Sequence, residues 1–298
     1  MIDFTTARTL LADRDEFDCA CPECGPGCKS PANRVRKVLR LWPIADGIIG
    51  YHCCRCPVEQ SGYVRDGHAP ALTAEQRQAI ARHRREAQRR AEAKAESKRE
   101  FVRKLWGESR DSADSAWVES YLGGRGLRLP ADTYWRKRTL RYHPACPFRD
   151  DPPGPALLGA FTTYPLTIPR DPYEDPEVEA IHRIRGRGHD NKAMLGPVAG
   201  KAVQYGSWET ASRAVLSVCE GVEDMIALVA KGVFPIWAMG SAGAIASLPP
   251  LPYPSKLVVF ADNDETGLNA ARCAARRWAE AGTPARIRYR SSGDYADG

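Results

Sequence analysis

The sequence predicts an α/β protein. A parallel sheet fills the C-terminal third, behind a mixed α+β middle domain and a small metal-bound N-terminal module. Three observations carry this. Apolar and helical runs alternate regularly through residues 206–298. Seven of the ten cysteines fall between Cys19 and Cys56. Between these regions, residues 74–106 contain neither Pro nor Gly and hold 11 basic against 5 acidic side chains, which accounts for the net charge of +6. The expected segments are residues 1–66, a cysteine-rich module; 67–106, a basic helical linker; 107–205, a mixed domain; and 206–298, the alternating strand–helix domain.

Hydrophobic residues make up 43% of the 298, enough for a packed core. No run approaches the ~18 apolar residues of a membrane span. The N-terminus lacks the basic start and apolar stretch of a signal peptide. A cytoplasmic protein with no membrane contact is expected, and in that setting clustered cysteines indicate metal rather than disulfides.

The N-terminal module starts from two C-x2-C knuckles, Cys21-Pro-Glu-Cys24 and Cys53-Cys54-Arg55-Cys56. Strand-like runs at 35–42 and 48–52 lie between them. A hairpin brings the two pairs together, and four thiolates satisfy tetrahedral Zn²⁺. Cys21, Cys24, Cys53 and Cys56 are the expected ligands of one structural zinc. Cys19, Cys28, Cys54 and His52 are spares, so the ligand set stays open.

The linker begins at Thr73, a plausible N-cap. Ala, Glu, Gln, Lys and Arg then favour one long solvated helix. A spacer role explains it, as does tracking of a phosphate backbone.

In the middle segment Arg183, Arg185 and Arg187 alternate with His182, Ile184 and Gly186. On a strand the arginines share one face, which suits phosphates or, equally, a solvated edge. Lys192 and Lys201 are expected in loops beside Gly196-Pro197 and Gly200. Trp117, Tyr121 and Trp135 read as core, and His143 and Cys146 as packing.

The C-terminal segment reads as strands at 214–219, 234–238, 256–261 and 285–289, with helices at 222–231, 241–248 and 265–282. Such alternation implies a parallel sheet. Chemistry then gathers at the carboxyl ends of the strands. The first strand ends in Glu220-Gly221 and the third in Asp262-Asn263-Asp264-Glu265-Thr266-Gly267. Three carboxylates at one edge call for a hard divalent cation, Mg²⁺ or Mn²⁺. Gly221 and Gly267 relieve the two sharp turns. Asp294, after the last strand, is a further candidate ligand. Gly240-Ser241-Ala242-Gly243 suits a phosphate cradle or simply close packing.

At these residues the chain resembles Toprim domains, which occur in bacterial-type DNA primases, type IA and II topoisomerases and some nucleases. The signatures are Glu220-Gly221 and Asp262-x-Asp264-x-x-Gly267. The order of zinc ribbon, middle domain and Toprim domain resembles primases. Residues 121–127, 181–203 and 236–252 look like segments of the primase-like proteins of phages, prophages and plasmids, a mobile-element origin. The resemblance implies that Glu220 is the catalytic glutamate and that Asp262 and Asp264 bind metal, with two Mg²⁺ ions. It places Lys192 and Lys201 along the path of nucleotide and template. The implied activity is primer synthesis on single-stranded DNA from nucleoside triphosphates. With no Walker A motif in the chain, a helicase partner would act in trans. A Toprim nuclease, or a non-catalytic nucleic-acid-binding accessory that recruits a helicase, remains open on the residues alone.

Overall fold

The structure is a computed structural model, described here over residues 2–26, 31–54, 61–67, 73–149, 151–164, 177–206, 215–290 and 295–297. Two compact units emerge, Met1–Glu92 and Ala93–Gly298.

The first unit opens with helix α1 (Phe4–Leu11), capped by the Asp3 carboxylate on the Thr6 N–H at 2.8 Å. Strand β1 (Phe17–Ala20) and the short α2 (Pro31–Arg34) follow, then β2 (Lys37–Ala45), β3 (Ile48–Cys53) and β4 (Ser61–Arg65). The strands form an antiparallel sheet in the order β1-β2-β3-β4. Leu39, Leu41, Ile49, Tyr51 and Cys53 pack with Ala7 and Leu11 of α1 into one small core. The expected hairpin is therefore the centre of a larger sheet.

Helix α3 (Ala74–Glu108) confirms the expected rod, 35 residues long. At 1.5 Å per residue it extends ~50 Å. Its last turns belong to the second unit, where Val102 and Leu105 are buried. Arg99 and Arg103 there meet Glu179 and Glu177 at 3.0 and 2.8 Å.

The second unit continues with β5 (Arg110–Asp111), α4 (Ala116–Gly123), α5 (Thr133–Thr139), β6 (Leu140–Phe148), β7 (Asp151–Thr163), β8 (Ala180–Ile184), β9 (Lys192–Leu195) and β10 (Lys201–Tyr205). Then come β11 (Val215–Cys219), α6 (Val222–Ala230), β12 (Ile236–Ala238), α7 (Ala242–Ser247), β13 (Lys256–Phe260), α8 (Glu265–Glu280) and β14 (Ala285–Arg288). One ten-stranded sheet holds all these strands, in the order β14-β13-β11-β12-β10-β7-β6-β5, with β8 and β9 branching from β7. The strands β14, β13, β11 and β12 are mutually parallel, as their alternation with helices predicts. The join is β10, antiparallel to both β12 and β7. Backbone pairing thus runs across residue 206, where the sequence places a domain boundary, and both segments lie in the second compact unit.

Period-two alternation sorts side chains between the sheet's faces. Leu157 and Phe161 of β7 join a core with α4 and α6, whereas Ala156, Leu158 and Ala160 join one with α3. On that second side Ala270, Ala271, Ala274 and Trp278 of α8 pack with α7. No described helix is long and apolar enough to cross a membrane.

Candidate functional site

The strand order places the carboxylates. β11 pairs with β12 on one side and β13 on the other. The helix after β11 lies on one face of the sheet, and the helix after β13 lies on the opposite face. The connections diverge here, and the carboxyl ends of such strands are the usual ligand position in a parallel α/β sheet. Val218 pairs with Val259, so Glu220 and Asp262 leave the sheet two and three residues beyond one register pair.

Cys219, fully buried below this edge, registers the charge there. Burial pushes its thiol well up, and the nearby Asp224, Asp262 and Glu220 carboxylates push it further. Asp224 is turned inward and accepts the Ala296 N–H at 2.9 Å. Asp264 is the N-cap of α8, accepting the Gly267 N–H at 2.6 Å. A Cβ on Gly267 would lie 2.8 Å from the Asp262 carbonyl oxygen, so this turn excludes every larger residue. A Cβ on Gly221 would lie 2.7 Å from an Asp224 oxygen.

The oxygens of Glu220, Asp262 and Asp264 do not all fall within 4.8 Å of one another; among the described residues only the cysteine cluster meets that limit. Hard carboxylate oxygens at this strand-end edge nevertheless fit Mg²⁺, which keeps several waters and needs only one or two carboxylates. Asp294 lies outside the described residues.

Beside the edge stands a buried charged cluster that the sequence reading did not assemble. Glu223, in the first turn of α6, is 2% exposed. It accepts the Tyr121 hydroxyl at 2.6 Å, together with Arg125 and Lys192. Burial pushes the Glu223 carboxyl up, but these bonds and charges outweigh it and hold it below the ordinary carboxylate value. Tyr121 stacks on Trp117 at 5.4 Å, and its hydroxyl also reaches the Gly186 carbonyl. His182 lies within reach of the same charges. Burial, then the Lys192 charge, lowers its pKa to about 4. Two signals were visible in sequence: an acid opening an apolar helix, and an arginine framed by glycines at 123–126.

The other basic residues are placed differently from expectation. Strand β8 ends at Ile184 and is flanked by β7 and β9, so the three arginines do not line one exposed face. Arg183 is buried and donates to the Pro147 carbonyl at 2.6 Å. Arg185 stacks over Phe148 and pairs with Asp151 at 3.6 Å. Arg187 is exposed and donates to the Gly124 carbonyl. Lys192 and Lys201 begin strands rather than sit in loops, and Lys201, 8% exposed, pairs with Glu179 at 3.3 Å. In the expected phosphate cradle Ser241 caps α7 through the Ala244 N–H, and Gly240 lies against Met194 and Phe161; packing accounts for both. Trp117, Tyr121 and Trp135 pack on the core, and His143 and Cys146 are buried.

In the first unit the ligand atoms of Cys21, Cys24 and Cys53 lie within 4.8 Å of one another, with Cys24 and Cys53 sulfurs 3.7 Å apart. Three soft thiols at this spacing fit zinc. Cys28 and Cys56 lie outside the described residues. Cys19 is buried and Cys54 exposed. The His52 ring meets the Ser61 hydroxyl at 2.6 Å.

Sequence-family comparison agrees with the geometry. The Toprim domain model matches residues 215–298, and a domain of unknown function (DUF7146) matches 96–205. The C-terminal part of the second unit is therefore a Toprim domain. Solved primase structures resemble the chain at low identity. A DNA primase domain from Pseudomonas aeruginosa shares 15% identity, with 67% of this chain and 73% of that one covered, at a TM-score of 0.45. The zinc-binding and RNA polymerase domains of Aquifex aeolicus primase share 13%, covering 99% and 79%, at 0.45. The primase fragment of the bacteriophage T7 primase-helicase protein shares 14%, covering 59% and 66%, at 0.40. No curated protein matches the sequence.

Proposed function

We propose that this protein is a primase-type nucleotidyltransferase that makes short primers on single-stranded DNA from nucleoside triphosphates. The observation that supports the reading is the strand-end edge of the Toprim domain, where Glu220 and Asp262 lie two and three residues beyond one register pair and Arg125 and Lys192 meet Glu223 of the following helix.

Glu220 and Asp262 would hold the metal, and Asp264 would hold the turn that presents Asp262. Mg²⁺ or Mn²⁺, as one or two ions, supplies charge neutralisation at the α-phosphate and activation of the attacking 3′-hydroxyl. Lys192, set beside Arg125, binds the triphosphate, where positioning and charge complementarity provide most of the rate. The zinc ribbon engages the template strand. A replicative helicase is a partner.

The test incubates full-length protein with single-stranded DNA, labelled ribonucleotides and Mg²⁺ or Mn²⁺, beside Glu220→Gln and Asp262→Asn. Short labelled products from wild type and at least 100-fold less from either variant are expected, the scale of losing one charge-stabilising group. Degraded template without products would instead assign a nuclease. Intact template without products would assign an accessory role.

A further inference from the structure

The charged group least expected from its surroundings is Glu223. Its helix is otherwise apolar except for Asp224, and seven of its nine residues are buried. A carboxylate that deep persists in ionised form only when its oxygens are well partnered. Oε1 receives the Tyr121 hydroxyl and the Arg125 guanidinium, and Oε2 receives the Lys192 ammonium. These donors come from α4, from the turn after it and from the first residue of β9. Glu223 thus ties together three stretches, up to 102 residues apart in sequence.

Two cations share this one carboxylate. Their side chains are 11% and 26% exposed, against 3% for Glu223, so both reach the surface and the acid does not. An ammonium carries three N–H donors, so the single bond to Glu223 does not exhaust Lys192. Side by side and unscreened, the two heads would repel and turn apart. Glu223 removes that repulsion from below.

We propose that Glu223 is a positioning residue. Its ionised carboxylate, shared with Arg125, holds the Lys192 ammonium at the surface, so that the remaining N–H donors of that ammonium take the triphosphate of a nucleotide. The proposal rests on the polymerase reading only for the identity of that nucleotide. The neighbouring charged groups fit the role. Asp224 is engaged by the Ala296 N–H, and His182, with its pKa lowered, is neutral at pH 7 and adds no charge.

The experiment measures Mg-ATP binding to full-length protein by calorimetry, for wild type, Lys192→Met, Glu223→Gln and the double variant. Each single change should weaken binding on the order of tenfold, and the double no more than Lys192→Met alone, the signature of one residue acting through the other. Glu223→Asp keeps the charge and should bind better than Glu223→Gln, which separates charge from folding; melting temperatures of all variants are recorded beside it. Losses that multiply in the double variant, unchanged or tighter binding by Glu223→Gln, or no binding by wild type would each overturn the proposal. The polymerase reading is judged separately by primer synthesis. Coupled losses without primers would remove that reading and keep Glu223's role, and primers with multiplying losses would do the reverse.

Discussion

At the scale of single residues, burial decides which charges are available for chemistry. Arg183, Arg185 and Arg187 form a plain period-two pattern in the sequence. Their strand ends at Ile184, however, and Arg183 is bonded to a backbone carbonyl. Local periodicity cannot reveal where a strand stops or which side is covered, because distant segments settle both. The strand-end positions of Glu220, Asp262 and Asp264 were legible for the opposite reason. Each follows an apolar run at a turn, and the run marks the strand end directly. His182 gives the sharpest prediction at this scale. Its pKa falls from 6.5 to about 4 in the folded protein, through burial and the Lys192 charge. The unfolded chain takes up a proton below pH ~6.5, while the folded one does so only near 4. Stability should therefore be flat above 6.5 and decline as the pH falls toward 4, by up to ~3 kcal/mol from this group. Melting curves of wild type and His182→Met across pH 4–7 check it. The variant should lose less on acidification; equal slopes would remove His182 as a source.

Among elements, those bounded by turn residues matched the sequence closely. Strands read at 214–219 and 256–261 are Val215–Cys219 and Lys256–Phe260, and the helix read at 222–231 is Val222–Ala230. Helix α1 and strand β1 gave no such signal, since each is short and its apolar positions gain meaning only against β2 and β3. The ribbon carries the prediction here. Cys21 and Cys24 lie on a turn after β1 and Cys53 ends β3, so a bound metal would cross-link elements that α1 and one small core otherwise hold. Purified protein should contain about one Zn²⁺ per chain, as a closed four-ligand site implies. Cys53→Ser should lose the metal and expose the first unit to proteolysis. Metal analysis by mass spectrometry, with limited digestion beside it, decides; no zinc in a protease-resistant N-terminus would refute the site.

Across the whole chain, the two compact units do not coincide with the four segments read from sequence. Composition shifts near residue 206 mark a connection and say nothing about pairing across it. The three pairs Val203–Ala238, Gln204–Trp237 and Tyr205–Ile236 make the Toprim strands an extension of the preceding antiparallel sheet. Residues 93–298 should therefore unfold in one transition. A fragment of residues 210–298 should be poorly soluble, because the edge of β12 would be unpaired. Calorimetry of the longer piece and sedimentation of the shorter one test this; a soluble, cooperatively folding short fragment would show that β12 needs no neighbour.

The same junction bears on synthesis by the ribosome. Strand β10 emerges with β7 already available, but its other edge waits for residues 236–238, and those residues also need β11. During that interval a half-built sheet carries an open row of amides beside apolar Ala202 and Val203. Nascent chains in such a state depend on chaperones and on steady elongation. Codon choice between residues 206 and 238 is thus a lever on yield, acting before any activity can be measured.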